Sequence, residues 1–407
     1  MDRRTFLFGL GAAGLTVLNA TAHAAPQAGI AKRAANAGAL GLVPGTPRYG
    51  RLLVLVELKG GNDGLNTVVP YADPRYAALR PRLALKREQV LPLSESIGLH
   101  NALEALLPLW QARQLAVVQG VGYPDPDLSH FRSIDIWETA SSAHETRSDG
   151  WLARTFATAP VPAAFAADGV VLGAADMGPF EGPGSRAIAL ANADQFLRQA
   201  RLAQPGGEAA RANPALAHLL KVEQDVSAAA SHLAGAVTAS RLATVFPGGP
   251  FGQAVKTACQ LVASNAGVAC LRLTLNGFDT HQNQLGAQAG LLKQLGEGLA
   301  ALQAGLSELN HWNDTLVLTY AEFGRRPKEN QSGGTDHGTA APHFVLGGRV
   351  AGGLYGAAPA LDRLDGNGNL PFAVDFRQLY ATALDNWWGI PSRDILGGRF
   401  APLPLLA

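Results

Sequence analysis

The chain has 407 residues, 47% of them apolar, and its 33 basic and 32 acidic residues give a net charge of +1. This length and composition are enough to bury a core in one large α/β domain with an inserted region, or in two domains. The near-neutral charge excludes an electrostatic basis for binding nucleic acid or anionic lipid.

The first 24 residues have the features of an export signal. Arg3 and Arg4 precede an apolar stretch that ends near Leu18, and a small-residue site follows at residues 22–24. This order is typical of a twin-arginine signal peptide rather than of an ordinary amphipathic helix. The apolar stretch is also shorter than the roughly 20 residues that a transmembrane helix needs. We therefore predict export to the periplasm or beyond, and a mature chain without a transmembrane segment.

The segment after the signal is predicted to be a linker over residues 25–50, because it is rich in Ala, Gly and Pro. An α/β domain then extends over residues 51–407. Its first strand, residues 52–58, ends in the loop 60–64, where Gly residues tolerate positive φ. A helix over 101–114, a strand over 115–121 and a turn that opens into a helix at Ser129 are predicted next.

The middle of the chain, about residues 155–255, has a different composition. It contains one short predicted strand at 169–173, turns rich in Gly and Pro, and an Ala-rich predicted helix over about 213–242. We interpret it as an inserted helical or cap region. Cys259 and Cys270 are the two cysteines of the chain. The sequence leaves open whether they form a disulfide or are two buried thiols.

The last third of the chain alternates between strands and helices. Strands are predicted over 268–275, 315–320 and 343–346, and a helix over 284–309 has leucines spaced by seven, three and four residues on one face. Asp375 is predicted to cap a final helix that continues through Trp388. This alternation indicates a three-layer α/β fold, with a mostly parallel sheet and helices on both faces.

Polar residues follow the predicted strands at five places, which are Asn62/Asp63, Ser129/His130, Asp279/His281, Glu322/Arg325 and Asp336/His337. Taken singly, each has a structural explanation as a turn former, a helix cap or a solvated loop charge. Their repetition at one edge of the sheet favours a site, because ligands bind at the carboxyl ends of the strands in such sheets. Carboxylates and imidazoles are ligands that suit divalent metals.

In combination, these motifs and the twin-arginine leader resemble the secreted bacterial family called domain of unknown function 1501. The resemblance begins at about Arg51 and continues to the C-terminus. That family looks like a distant branch of the alkaline phosphatase and sulfatase superfamily. The resemblance implies an alkaline-phosphatase-like fold and the hydrolysis of phosphate or sulfate esters with bound metal.

The resemblance also implies a set of metal ligands. Five residues match the superfamily positions: Asp63, Asp279, His281, Glu322 and His337. Glu57 is the alternative to Asp63. The ion would be Zn, Mn, Mg or Ca. Phe323 stands where the superfamily pattern has a histidine, and the spacing of Asp279 and His281 is tighter than usual. One of the superfamily's two metal sites is therefore expected to be altered, singly occupied or absent, and the number of bound ions, which includes one or none, is left open.

Ser129 matches the superfamily nucleophile at a helix N-terminus, where backbone N–H groups favour an anionic substrate. His130 or His281 would act as a base, and the guanidinium fork of Arg325 suits a non-bridging oxygen of the substrate. The predicted function is a secreted, metal-dependent ester hydrolase acting on an anionic or polar small molecule or polymer. The alternatives are a non-catalytic envelope binding module on the same fold and a metal-free serine esterase, although Ser129 lacks a Gly-x-Ser-x-Gly motif.

Overall fold

The computed structural model describes residues 46–190 and 241–406. The predicted signal peptide, most of the predicted linker and nearly all of the predicted helix over 213–242 lie outside the described residues. None of the helices in the described ranges has the length and hydropathy needed to cross a membrane.

We label the described elements in chain order. The strands are β1 (Leu52–Lys59), β2 (Val68–Val69), β3 (Val90–Pro92), β4 (Gly98–His100), β5 (Leu115–Gly122), β6 (Ala167–Leu172), β7 (Ala187–Leu190), β8 (Val268–Asn276), β9 (Thr315–Tyr320), β10 (Arg325–Glu329), β11 (Thr335–His337), β12 (Ala341–Leu346), β13 (Gly353–Tyr355) and β14 (Val374–Asp375). The α-helices are α1 (Pro74–Leu79), α2 (Leu107–Gln111), α3 (His130–Thr139), α4 (Trp151–Thr158), α5 (Gly249–Ala263), α6 (Gln284–Glu308), α7 (Phe376–Ala381) and α8 (Arg393–Leu396).

Nine strands form the central sheet in the order β13-β5-β12-β9-β1-β8-β6-β7, and β14 also pairs with β5. Strand β1 lies in the middle and pairs in parallel with β8 and β9. Its first seven residues are all buried, as expected for a strand that is covered on both faces. The predicted mostly parallel α/β sheet is therefore confirmed.

Strand β12 runs antiparallel to its neighbours β5 and β9. The strand itself was predicted over 343–346, within a mostly parallel sheet. After β9 ends, β10 and β11 pair with each other in a separate two-stranded sheet. The chain therefore starts β12 from the edge where β9 ended, so β12 runs back across the sheet in the opposite direction.

The two faces of the sheet each support a hydrophobic core, which gives the three predicted layers. On one face, Val54 of β1 belongs to the same core as Leu295 of α6 and Val255 of α5. On the other face, Leu55 belongs to a core with Trp137 of α3 and Trp151 of α4. Alternate side chains of β1 point to opposite faces, so one strand serves both cores.

Two predicted segments differ from the structure. The predicted helix over 101–114 is a 3-10 helix, Asn101–Leu106, followed by the short α2, because Leu103 leaves helical geometry and Pro108 begins the next turn. The region 155–255 holds two strands, β6 and β7, rather than one, and both continue the central sheet. Residues 191–240 of the predicted insertion lie outside the described residues.

The C-terminal helix begins as predicted. The Asp375 carboxylate accepts a hydrogen bond from the Arg377 N–H (3.0 Å), and a π-helix, Thr382–Trp388, continues α7.

Both cysteines are free, buried thiols, which is the second of the two alternatives that the sequence left open. Burial raises the pKa of Cys259 to about 12, which keeps this thiol protonated at neutral pH.

Candidate metal-binding site

Polar side chains from the ends of β8, β9 and β11 and from the start of α3 meet at the carboxyl edge of the central sheet. Strand β8 ends at Asn276 and is followed by Asp279 and His281, while β9 ends at Tyr320 and is followed by Glu322. Helix α3 begins at His130, after β5. The carboxyl ends of parallel strands lie at the same edge, so residues far apart in sequence become neighbours here.

The centre of the site is a histidine cluster, which we define as His130, Asp279, His281 and His337. One ligand atom each from His130, Asp279 and His337 lies within 4.8 Å of the others. His281 Nε2 lies 3.0 Å from Asp279 Oδ1 and 3.0 Å from His337 Nε2. Two further contacts of Asp279 are 3.5 Å long, from Oδ2 to His130 Nε2 and from Oδ1 to His337 Nε2. These four residues were predicted from the sequence, and the structure brings them together.

The outer nitrogens of two of the imidazoles are held by acceptors. His337 Nδ1 donates to the Leu128 carbonyl oxygen (2.8 Å), and His130 Nδ1 lies 2.9 Å from Glu322 Oε1. A carbonyl oxygen can only accept, so Nδ1 of His337 carries the proton and its Nε2 presents a lone pair to the cluster. Metal-binding histidines are oriented in this way by a carboxylate or carbonyl behind the ring.

The donor set and its spacing fit a divalent ion. Four donors at about 2.0–2.1 Å from a tetrahedral zinc lie roughly 3.3–3.4 Å apart. The contacts of Asp279 with each histidine and of His281 with His337, 3.0 to 3.5 Å, are close to this separation. Imidazole nitrogens with one carboxylate favour zinc or another transition metal over Ca²⁺, which prefers oxygen ligands.

The electrostatics of the cluster also suit a cation. Partial burial raises the pKa of Asp279, but the hydrogen bond and positive charge of Arg325 outweigh this effect and lower the pKa overall. Burial, with the charge of Arg325, lowers the pKa of His337 below its usual value. At neutral pH these shifts favour a carboxylate and a neutral imidazole, which are the protonation states that bind metal.

Arg325 was predicted to contact the substrate, but its donors are already in use. Its side chain is fully buried, and Nε donates to the Gly61 carbonyl oxygen (2.8 Å). Nη1 donates to the Thr335 carbonyl oxygen (2.9 Å), and Nη2 donates to Asp279 Oδ1 (2.6 Å) and to the Gly60 carbonyl oxygen. With every nitrogen engaged, Arg325 positions Asp279 and the loops around it and has no fork to offer an oxyanion.

Glu322 stands behind His130 and does not join the cluster directly. Its buried carboxylate accepts two contacts from the Gly60 N–H (2.9 and 3.1 Å). Gly60 has φ +114°, and a Cβ there would lie 2.4 Å from the Asp279 nitrogen, so this close approach requires glycine. Glu322 was predicted as a metal ligand, and its contacts instead make it the group that orients His130.

Asp63 has partners different from those predicted. Its two oxygens pair with the buried Arg80, at 2.5 and 2.9 Å, and it also accepts hydrogen bonds from Gln284 and from the Leu65 N–H. The carboxylate is therefore used in a buried ion pair that anchors the loop after β1. Glu57, the alternative ligand, is buried within β1 and pairs with Arg272 at 2.7 Å.

Ser129 is exposed at the N-cap position of α3, and its side chain makes no capping hydrogen bond. It lies between Leu128, whose carbonyl oxygen accepts from His337, and His130. Phe323, in the place of the superfamily histidine, packs its ring against His337 and His130, with centroids 4.4 and 4.9 Å apart. In the sequence, Ser129 thus lies between Leu128, which accepts a hydrogen bond from the cluster, and His130, which belongs to it.

Several supporting groups were absent from the predicted site. The Leu128 carbonyl and the Gly60 N–H are backbone atoms and carry no sequence signal. Ser133 is buried one turn into α3, and its hydroxyl donates to the Glu322 carbonyl oxygen. Asp336 Oδ1 lies 3.5 Å from His281 Nδ1. The Asp-His pair at residues 336–337 was the one available signal for Asp336.

A family model described as protein of unknown function (DUF1501) matches residues 110–397. Among solved structures, the chain is similar to the C-terminal periplasmic domain of EcEptC from Escherichia coli in complex with Zn, at 8% identity over 75% of this chain and 77% of that chain, with a TM-score of 0.36. It is similar to the lipoteichoic acid synthase LtaP from Listeria monocytogenes, at 11% identity over 87% and 79%, with a TM-score of 0.37. It is also similar to alkaline phosphatase from the Antarctic bacterium TAB5, at 11% identity over 76% of this chain and 95% of that chain, with a TM-score of 0.33. A search of curated protein sequences found no match.

Proposed function

The chain belongs to the DUF1501 family, whose function is unknown, and we propose that it is a metal-dependent hydrolase of phosphate or sulfate esters. The observation that carries this proposal is the histidine cluster, in which the Asp279 carboxylate lies 3.0 to 3.5 Å from an imidazole nitrogen of each of three histidines. Lone pairs this close repel one another unless a proton or a metal cation lies between them, and a divalent ion can satisfy several of them at once.

His130, Asp279 and His337 would hold the ion, with His281 as a further ligand beside them. A bound divalent ion would supply Lewis-acid stabilisation of the charge that develops on the ester oxygens. Glu322 and the Leu128 carbonyl would keep the two rings oriented toward the ion. Arg325 would hold Asp279 ionised and in place.

We assign the nucleophile role to Ser129. Its hydroxyl is exposed, is not consumed in capping and lies at the start of a ten-residue helix. The first N–H groups of such a helix have no partner within the helix and favour an anionic substrate. Because Arg325 has no free donor, these N–H groups and the bound ion would contact the non-bridging oxygens. His281, which is half-exposed, would accept the proton from the hydroxyl where it is not a ligand.

The substrate would be larger than the ester group alone. Phe131, the residue after His130, is 88% exposed at the start of α3. An exposed aromatic ring beside a polar site offers an apolar surface to a sugar ring or another extended part of a substrate. The same feature favours the second candidate function, a non-catalytic module that binds a polar polymer. We propose that the predicted twin-arginine leader directs export, so that either activity would act outside the cytoplasm.

Metal content and turnover would test the proposal. Protein purified without chelators is expected to contain about one zinc or manganese ion per chain by mass spectrometry, and to hydrolyse p-nitrophenyl phosphate, bis(p-nitrophenyl) phosphate or p-nitrophenyl sulfate. His337→Gln is expected to lower the metal content and turnover together. His144→Gln is the matched control, because His144 is exposed and contacts only Asp125, at 3.1 Å, among the described residues.

The outcomes separate the two candidate functions. Metal binding without turnover of any of the three esters would favour the binding module. Protein that contains no metal and binds none on reconstitution would exclude both the metal site and the hydrolase built on it.

A further inference from the structure

A cavity of about 420 Å³ is lined in part by Arg325, which also donates to Asp279 of the histidine cluster. Its volume falls within the roughly 300–1,000 Å³ of typical small-molecule sites. The walls are mainly apolar and include Leu65, Val68, Ala340, Pro342, Leu370 and Phe372. The loop from Ala357 to Ala360 covers one side.

Gln119 of β5 is the polar side chain that sets the character of this cavity. It is only 5% exposed, and its Oε1 atom has no hydrogen-bond partner among the described residues. Buried amide groups are normally paired, so an unpaired one that lines a cavity indicates a ligand with a matching donor. The other charged lining groups do not compete, because Arg325 is engaged elsewhere and Arg363 is exposed beside Asp362.

We propose that this cavity binds an uncharged, mostly apolar molecule, or a substituent of that kind, which carries a hydroxyl or amide group. The apolar walls receive the body of the ligand, and Gln119 Oε1 accepts its hydrogen bond. A charged group would be excluded from the interior, where it would lose its hydration without finding an unpaired opposite charge. This site does not depend on the hydrolase activity, since Gln119 makes no contact with the histidine cluster.

Phenol and anisole test this proposal because they have nearly the same size and only phenol has a hydrogen-bond donor. By titration calorimetry, the full chain is expected to bind phenol roughly fivefold more tightly than anisole. Gln119→Leu keeps the volume and removes the acceptor, so it is expected to bind both probes equally. Gln294→Leu, an exposed glutamine on α6, is the matched control and is expected to keep the preference. Asp279→Asn is also expected to keep it, which separates this cavity from the metal site.

A second variant tests the location without altering Gln119. Ala360→Trp places a large ring on the half-buried loop that lines the cavity, and is expected to weaken the binding of both probes at least tenfold. Thermal unfolding of each variant checks that it is folded. The proposal is overturned if the wild-type chain binds neither probe, if it binds both equally, or if folded Gln119→Leu keeps the preference for phenol.

Discussion

Two groups of ionisable side chains are each built around a fully buried arginine, and they differ in how their charges are matched. One is the histidine cluster with Arg325. The other, which we call the Arg272 network, consists of Glu57, Glu138, Asp176, Arg272 and Tyr320. Arg272 donates to Glu57 at 2.7 Å, to Glu138 at 3.1 Å and to Asp176 at 2.5 Å, and its Nε donates to the Tyr320 hydroxyl at 2.9 Å.

In the Arg272 network, the nitrogens of Arg272 face acceptors and the pair with Glu57 is fully buried, although Glu57 Oε1 has no hydrogen-bond partner among the described residues. In the histidine cluster, the Asp279 carboxylate faces imidazole nitrogens of three histidines, and Asp279 and His281 are 48% and 43% exposed. Arg325 binds mostly backbone carbonyls and so neutralises only one carboxylate. The comparison indicates that the matched, buried group stabilises the sheet, whereas the open group with surplus lone pairs is suited to bind a cation.

The largest expected effect is the loss of Arg272. Arg272→Met leaves Glu57 buried without its partner, and removing one member of a buried ion pair costs about 3–5 kcal/mol of unfolding free energy. Chemical denaturation would measure this change. Arg349→Met is the control, because Arg349 and Asp314 form a pair in which both side chains are nearly half-exposed, and such pairs contribute about 0–1 kcal/mol. Equal losses for the two variants would contradict a structural role for the Arg272 network.

In the histidine cluster, the corresponding substitution should lower the affinity for metal rather than the free energy of unfolding. Glu322→Gln keeps an oxygen for the Gly60 N–H but removes the charge behind His130. A lost partner of this kind lowers metal affinity by about 10- to 100-fold. Competition with a zinc chelator would measure the affinity, and denaturation of the metal-free protein would measure the stability. An unchanged zinc affinity would remove Glu322 from the site.

The Arg272 network also differs from the histidine cluster in the pH dependence of stability, which comes from Glu138. Burial raises the pKa of this carboxyl to about 8, against the opposing charge of Arg272, whereas its usual pKa is 4.5. The folded state therefore retains a proton that the unfolded state releases, so the stability due to Glu138 is present below about pH 4.5 and is lost as the pH rises to about 8.

Glu138→Gln is expected to flatten this decline by an amount on the order of 3–4 kcal/mol between pH 5 and 8. Denaturation of both proteins at several pH values would measure it. Glu297→Gln, on an exposed pair of α6, serves as the control and should retain the wild-type slope. Parallel pH profiles for wild type and Glu138→Gln would show that Glu138 is ionised in the folded protein.

The smallest expected change in stability is at Ser129. Because its side chain makes no capping hydrogen bond, Ser129→Ala is expected to change the unfolding free energy by less than about 0.5 kcal/mol. If Ser129 is the nucleophile, the same variant loses turnover by several orders of magnitude while its metal content is kept. Retained turnover in Ser129→Ala would assign the attack to another group, such as a water molecule.

Much of the fold was predictable because its signals are local. The buried β1 and β9 are continuous apolar runs, and the leucine spacing of α6 marks one helical face. The direction of β12 was not predictable from the sequence. It depends on where the chain leaves the β10–β11 pair, and this position has no local signal. Strand β7 was missed because its four residues are too short to show a period.

The sequence by itself determined which residue types reach the carboxyl edge of the sheet, because each strand end can be read locally. His130, Asp279, His281 and His337 were identified in this way. Only the tertiary structure decided what each polar group does there. By charge alone, Asp63 could be a metal ligand and Arg325 could bind an oxyanion. Their actual partners, Arg80 and the backbone carbonyls, come from distant segments and occupy these groups. A side chain's role depends on which of its hydrogen bonds are already satisfied, and long-range contacts set that balance.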